Sequence, residues 1–204
     1  MEYIGFIIGR ELRNIRQLLK FPLWYMSSNT NEDNHLYKKI RIKKLGLKYY
    51  CTTLIETGTF YGQMTNAMKY SYKKVLTVEL YKKLYLLNKK AFEKFSNIQI
   101  YHGDSSTMIK QMIDDSEGRI LFWLDGHFSG AGTACGDEVS PILIELESIK
   151  NCGRVNDCIL IDDVRLFDGT DGYPTLEATK EKLFQINQNY SIYLDRDCLV
   201  AVVN

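Results

Sequence analysis

The residues of this chain that could do chemistry gather in short stretches, each at the end of an apolar run. The first is Glu56-Thr57-Gly58-Thr59-Phe60-Tyr61-Gly62. Gly58 lets the backbone turn tightly and approach a ligand with no Cβ in the way, and Gly62 permits close packing where the next helix starts. A pyrophosphate loop needs G-x-G-x-x-G, a spacing absent here. The acid that enters the loop, Glu56, suits a ligand carrying positive charge, such as an amino acid or a sulfonium. Glu79 closes a second apolar run 23 positions later, where a carboxylate can accept hydrogen bonds from both hydroxyls of a ribose. Gly103-Asp104-Ser105 follows a third run. Asp104 reads either as the receiver of an adenine amino group or as a simple helix N-cap.

Two further stretches are acidic. Phe122-Trp123-Leu124-Asp125-Gly126-His127 and Leu160-Ile161-Asp162-Asp163 each set carboxylates directly after an apolar strand. A buried carboxylate is costly to leave unpaired. Three of them delivered to one sheet edge repel one another unless a cation lies between them. Oxygen-only ligands favour a hard ion such as Mg²⁺, with Mn²⁺ or Ca²⁺ as substitutes. The plainer alternative is that one Asp caps a helix or pairs with the nearby Arg165.

Such a set of side chains needs a scaffold that brings strand ends together, and the hydrophobic pattern supplies one. Strands are expected at Cys51–Thr57, Lys74–Leu80, Ile98–Tyr101, Ile120–Leu124 and Cys158–Ile161. Helices are expected from about Tyr61, over Tyr81–Phe95, Ser105–Ile113, Ser140–Ile149 with Pro141 in its first turn, and Pro174–Gln188. Five strands alternating with helices imply a parallel sheet covered on both faces. The last two strands, Tyr190–Leu194 and Cys198–Val203, are joined across Asp195–Asp197, too short for a helical crossover, so they must be antiparallel. The fold class is therefore α/β: a Rossmann-like three-layer sandwich whose seven-stranded, mostly parallel sheet ends in an antiparallel hairpin. In such sheets ligands sit at the carboxyl ends of the strands, which is where all the residues above lie. Residues 1–45 read as an N-terminal helical extension and 46–204 as the domain proper. In the extension Ile8, Leu12, Ile15 and Leu19 form a helical stripe expected to pack on the domain, and Phe21–Asn34 reads as a polar connector.

Taken together, these motifs resemble the class I S-adenosylmethionine-dependent methyltransferases. Within them the chain is most similar to the metal-dependent O-methyltransferases of the catechol and caffeoyl-CoA type. Those enzymes carry Glu-x-Gly-x-x-x-Gly in the first loop, matched by Glu56, Gly58 and Gly62, and an acidic ribose ligand matched by Glu79. They hold their metal with an Asp after the fourth strand and an Asp-Asn pair after the fifth. Asp125 and Asp162 match, while Asp163 replaces the Asn, as in sugar O-methyltransferases of the macrocin type. The resemblance covers roughly Cys51 to Val203. It implies S-adenosylmethionine held by Glu56, Gly58, Thr59, Phe60, Gly62, Glu79, Asp104, Ser105 and Asp125. It also implies a divalent metal, Mg²⁺ first, held by Asp125, Asp162 and Asp163. The catechol-type enzymes place a general-base Lys three positions after the first metal Asp; here that position is Phe128. His127 is the candidate replacement beside Asp125 in the catalytic set, because a neutral imidazole is matched to proton removal near pH 7; metal ligand and substrate contact are equal readings of it. Four glycines in Gly126–Glu138 read as a lid.

The resemblance implies methyl transfer to a hydroxyl of a small acceptor with metal assistance. Metal-independent transfer and a non-catalytic cofactor-binding partner subunit remain open alternatives. Composition narrows the setting. A hydrophobic fraction of 45% and a charged fraction of 25% are ordinary for a globular protein, so disordered and fibrous classes are excluded. The net charge of +1 hides an asymmetry: residues 1–50 carry ten Lys/Arg against four acids, so the front is +6 and the remainder −5. A basic front reads equally as a solvated basic helix and loop, or as a face for an anionic acceptor, such as a phosphorylated sugar, or for peripheral membrane contact of the first helix. No base-flipping motif or alternating aromatic and basic pattern supports nucleic acid as a partner, and homo-oligomerisation is left open. Five cysteines without a Cys-x-x-Cys pair suggest a reducing compartment, and with no signal-peptide pattern a cytoplasmic setting is expected.

Overall fold

A computed structural model describes residues 2–27, 32–126 and 140–203. His127, Phe128 and the glycine-rich stretch that follows them lie outside the described residues, as does Cys135. Two helices come first, α1 (Glu2–Met26) and α2 (His35–Lys48). The alternating unit follows: β1 (Thr53–Thr57), α3 (Gln63–Met68), β2 (Lys74–Glu79), α4 (Lys82–Phe92), β3 (Ile98–His102), α5 (Ser105–Asp114) and β4 (Ile120–Leu124). It continues with α6 (Ile142–Asn151), β5 (Cys158–Ile161), a 3-10 turn at Val164–Leu166, α7 (Leu176–Ile186), β6 (Ser191–Asp195) and β7 (Cys198–Val202).

The seven strands form one sheet in the order β3-β2-β1-β4-β5-β7-β6. All pairings are parallel except β5 with β7 and β6 with β7, which are antiparallel. The expected α/β sandwich with its closing hairpin is thus the observed fold. The order of the strands reverses between β1 and β4, so the carboxyl ends of these two open the crevice of a doubly wound sheet.

Neighbouring residues on each strand point to opposite faces; the inner strands β1, β4, β5 and β7 are buried on both, while the edge strands β3 and β6 are partly exposed. Ile55, Leu76, Phe122, Ile159 and Ala201 pack with Ile109 and Met112 of α5, Leu146 and Ile149 of α6, and Leu183 of α7. Their sequence neighbours Leu54, Val75, Leu121, Cys158 and Val200 pack with Met64 and Met68 of α3 and with Ile42 and Leu45 of α2. Continuous apolar runs such as Ile120–Leu124, fully buried along their length, are what a sheet covered on both faces requires. The helix α2, which starts within the expected extension, supplies part of this second layer.

Two expectations about the front of the chain need correction. The helix α1 does not stop before Phe21: it runs to Met26 through Pro22, so the connector begins later. Pro22 lacks the N–H that would bond one turn back. The aromatic contacts beyond it hold the last turn: Trp24 packs on Tyr37 at 5.2 Å and under the Arg196 guanidinium at 4.4 Å. The stripe Ile8, Leu12, Ile15 and Leu19 faces solvent, each residue more than half exposed. The helix docks by its other side, because Phe6 stacks on Tyr61 at 5.4 Å, Arg13 lies 3.7 Å above the same ring and Arg10 is buried against Phe92. These cation–π and stacking contacts occupy the face turned to the domain. Among the described residues no helix is long and apolar enough to cross a membrane.

Candidate active site

The loop after β1 is held by backbone bonds to β2. The Gly58 and Thr59 amides donate to the Val78 carbonyl at 3.1 and 3.0 Å. Gly58 has φ +86°, and a Cβ placed there would meet the Asp125 carbonyl oxygen at 2.6 Å. Glycine is therefore demanded twice, by the left-handed backbone and by the close approach to the end of β4. Glu79 binds the other end of the loop. Its Oε2 accepts from the Phe60 amide at 2.7 Å and its Oε1 from the Tyr81 amide at 2.8 Å. Each carboxylate oxygen keeps a further acceptor site. The residue is buried rather than a surface glutamate, and burial pushes its pKa up against the backbone N–H donors of Tyr81, Phe60 and Leu80.

Glu56 is buried and accepts from the Thr65 hydroxyl, which ties β1 to α3. Burial, only partly offset by the Thr65 and Thr77 hydroxyls, raises its pKa to about 8. Thr59 bonds the Thr77 hydroxyl at 2.7 Å. Asp104 is the N-cap of α5, its Oδ1 accepting from the Ser106 amide at 2.8 Å. The capping alternative for Asp104 is thus observed, and the neighbouring Ser105 is buried.

Asp125, Asp162 and Asp163 converge. Their best-placed oxygens lie within 4.8 Å of one another, because β4 and β5 are paired neighbours and the Asp162 amide bonds the Leu124 carbonyl at 3.1 Å. Asp163 adopts φ +53°, a left-handed conformation that Asp and Asn tolerate better than other non-glycine residues. Arg165 donates to Asp163 at 2.6 Å and also pairs with Asp197, so the anticipated Arg165 contact exists alongside the cluster.

A residue that the sequence motifs do not point to completes this cluster. Lys38, on α2, places its buried ammonium between the carboxylates, bonding Asp162 Oδ2 and lying 3.3 Å from Asp163 Oδ1. Burial opposes its charge, but Asp162, Asp125 and Asp163 outweigh that and hold its pKa above the ordinary lysine value. Burial among like charges drives Asp162 upward, with Lys38 opposing. The strand ends require a cation between them, and the chain supplies one itself. Glu145, equally silent in the motifs, is fully buried on α6, its pKa raised by burial to about 7, partly offset by the Ser105 and Thr57 hydroxyls. Both residues leave a signal in the sequence. Lys38 shares a helical face with Ile42 and Leu45, and Glu145 with Ile142 and Ile149, so each is a charge on a buried stripe.

The donor set fits a divalent cation. It is all oxygen, and Asp162 Oδ1 is buried with no hydrogen-bond partner, a free acceptor beside the cluster. No two of these oxygens are farther apart than 4.8 Å, within the span of about 5 Å that opposed oxygens take around Ca²⁺. A small cleft lies alongside, lined among others by Gly126, Ser140, Glu145, Asp162 and Phe167.

No protein-family model matches this sequence, and no curated protein matches it. Solved structures do match. The methyltransferase PaMTH1 of Podospora anserina, bound to S-adenosylhomocysteine, superposes with TM-score 0.58 at 14% identity, over 98% of this chain and 87% of its own. The Bacillus cereus O-methyltransferase in complex with S-adenosylhomocysteine gives 0.57 at 13%, over 94% and 90%. NodS, an N-methyltransferase of Bradyrhizobium japonicum, gives 0.54 at 12%, over 87% and 89%. The fold is that of the class I S-adenosylmethionine-dependent methyltransferases.

Proposed function

We propose that this protein is an S-adenosylmethionine-dependent methyltransferase acting on a hydroxyl of a small acceptor with the help of a divalent cation. The observation that carries this reading is the convergence of Asp125, Asp162 and Asp163 beside the Gly58 loop, at the reversal of the sheet. The neighbouring folds, which include O-methyltransferases, support it.

In this reading Gly58, Thr59, Phe60 and Gly62 give the cofactor a close-fitting backbone surface, while Glu56 stands beneath it. Glu79 offers its remaining acceptor sites to the ribose hydroxyls, and Asp104 and Ser105 flank the adenine. Asp125, Asp162 and Asp163 would hold the cation, which would supply Lewis acidity to lower the acceptor hydroxyl pKa. S-adenosylmethionine would supply the methyl and leave as S-adenosylhomocysteine, and His127 would take the hydroxyl proton where the cation alone does not suffice. The basic front suits an anionic acceptor, a phosphorylated or nucleotide-linked sugar being the class to try first.

The test is transfer of labelled methyl from S-adenosylmethionine to a panel of polyhydroxyl acceptors, with Mg²⁺ or with chelator. Activity should require the ion, and Asp162→Ala should abolish it while leaving cofactor binding intact. Equal turnover in chelator would overturn metal assistance and favour metal-independent transfer, with Lys38 as the cation of the cluster.

A further inference from the structure

We propose that the Lys38 ammonium is the resident counter-ion of the Asp125–Asp162–Asp163 cluster, and that a divalent cation loads only by displacing it. The inference rests on the metal-assisted reading above and adds to it the residue that sets the affinity of the site.

Space gives the first argument. Lys38 Nζ bonds Asp162 Oδ2 and stands 3.3 Å from Asp163 Oδ1. An ion bonded to these two carboxylates at about 2.0–2.6 Å would fall in the volume the ammonium fills, so the two cations exclude one another. Charge gives the second. Three carboxylates face one full ammonium and the Arg165 guanidinium, which Asp197 shares. The cluster thus keeps negative charge that one lysine does not cancel, and a dication cancels more of it. The third is the orphaned Asp162 Oδ1, an acceptor position that the lysine leaves unused.

The lysine can leave without unfolding its helix. Ile42 and Leu45 are buried in the layer beneath the sheet, and Arg41 is clamped by Asp33 at 2.5 Å and Asp195 at 2.8 Å. These hold α2 while the flexible four-carbon stem of Lys38 swings. The same tether keeps the carboxylates from facing one another unpaired before the ion arrives.

The experiment titrates Mn²⁺ into wild type, Lys38→Met and Lys38→Arg by calorimetry. Lys38→Met should bind Mn²⁺ tighter by about tenfold or more, and Lys38→Arg, which keeps the competing charge, should not. Amine-reactive labelling of the wild-type protein, read by mass spectrometry, should show Lys38 protected alone and labelled at saturating Mn²⁺. Equal Mn²⁺ binding by all three proteins, or a Lys38 that stays protected at saturation, overturns the displacement and leaves the metal reading standing. Absence of Mn²⁺ binding in all three overturns both. If Lys38→Met does not fold, the labelling of wild type decides.

Discussion

Replacing Gly58 by alanine tests whether the loop is built for close approach or only for flexibility. Two costs can be separated. The left-handed backbone, φ +86°, penalises any Cβ by about 1–2 kcal/mol. The new methyl would also stand 2.6 Å from the Asp125 carbonyl oxygen, a backbone atom tied to β4 that cannot swing away. Such overpacking adds about 1–3 kcal/mol. Gly153 provides the control: its φ is +67° and nothing lies within 4 Å of where its Cβ would stand, so Gly153→Ala carries only the first cost. The difference of about 1–3 kcal/mol corresponds to about 2–12 °C in melting temperature for a chain of this size. Thermal unfolding of both variants, with S-adenosylhomocysteine titration at a temperature where both are folded, is the assay. Gly58→Ala should melt lower than Gly153→Ala and lose cofactor affinity, while Gly153→Ala keeps it. Equal melting temperatures with equal affinity would refute the close-approach argument.

Other perturbations follow from the buried charges. Glu56 keeps its proton in the folded state up to about pH 8, whereas the unfolded chain loses it near 4.5. Its contribution to stability is therefore complete below that lower value and is lost as pH rises toward about 8. Denaturant unfolding across this window should show falling stability, with Glu56→Gln removing much of the slope; an unchanged slope would refute the assignment. Glu145, raised to about 7, should account for the slope that remains, and Glu145→Gln in the Glu56→Gln background should flatten it. Arg41→Met would strand the buried Asp33 and should cost about 3–5 kcal/mol in the same unfolding measurement.

The sheet was legible because inner strands such as β4 and β5 are apolar runs followed by a carboxylate, and the closing pair leaves room only for a turn. The carboxylates at the strand ends were legible for the same reason. What escaped was carried by helices whose composition disguises their packing. His35–Lys48 holds six Lys and Arg residues, so it reads as a solvated segment although Lys38 and Arg41 are buried against aspartates from other elements. Lys38 meets Asp162 across 124 positions of sequence, beyond the reach of any local pattern. The stripe on α1 misled in the opposite sense. Its apolar face is real, but the stacking of Phe6, Arg10 and Arg13 on Tyr61 and Phe92 settles which side meets the domain.

The most direct measurement of the central claim is calorimetric titration of S-adenosylhomocysteine into the wild-type protein and into Glu79→Ala. One saturable site is expected in wild type, weakened by about tenfold or more in the variant through loss of charged hydrogen bonds to the ribose. Absence of binding to the wild type, or equal affinity in the two proteins, would contradict the assignment of the Glu56–Gly62 loop and Glu79 as the cofactor site.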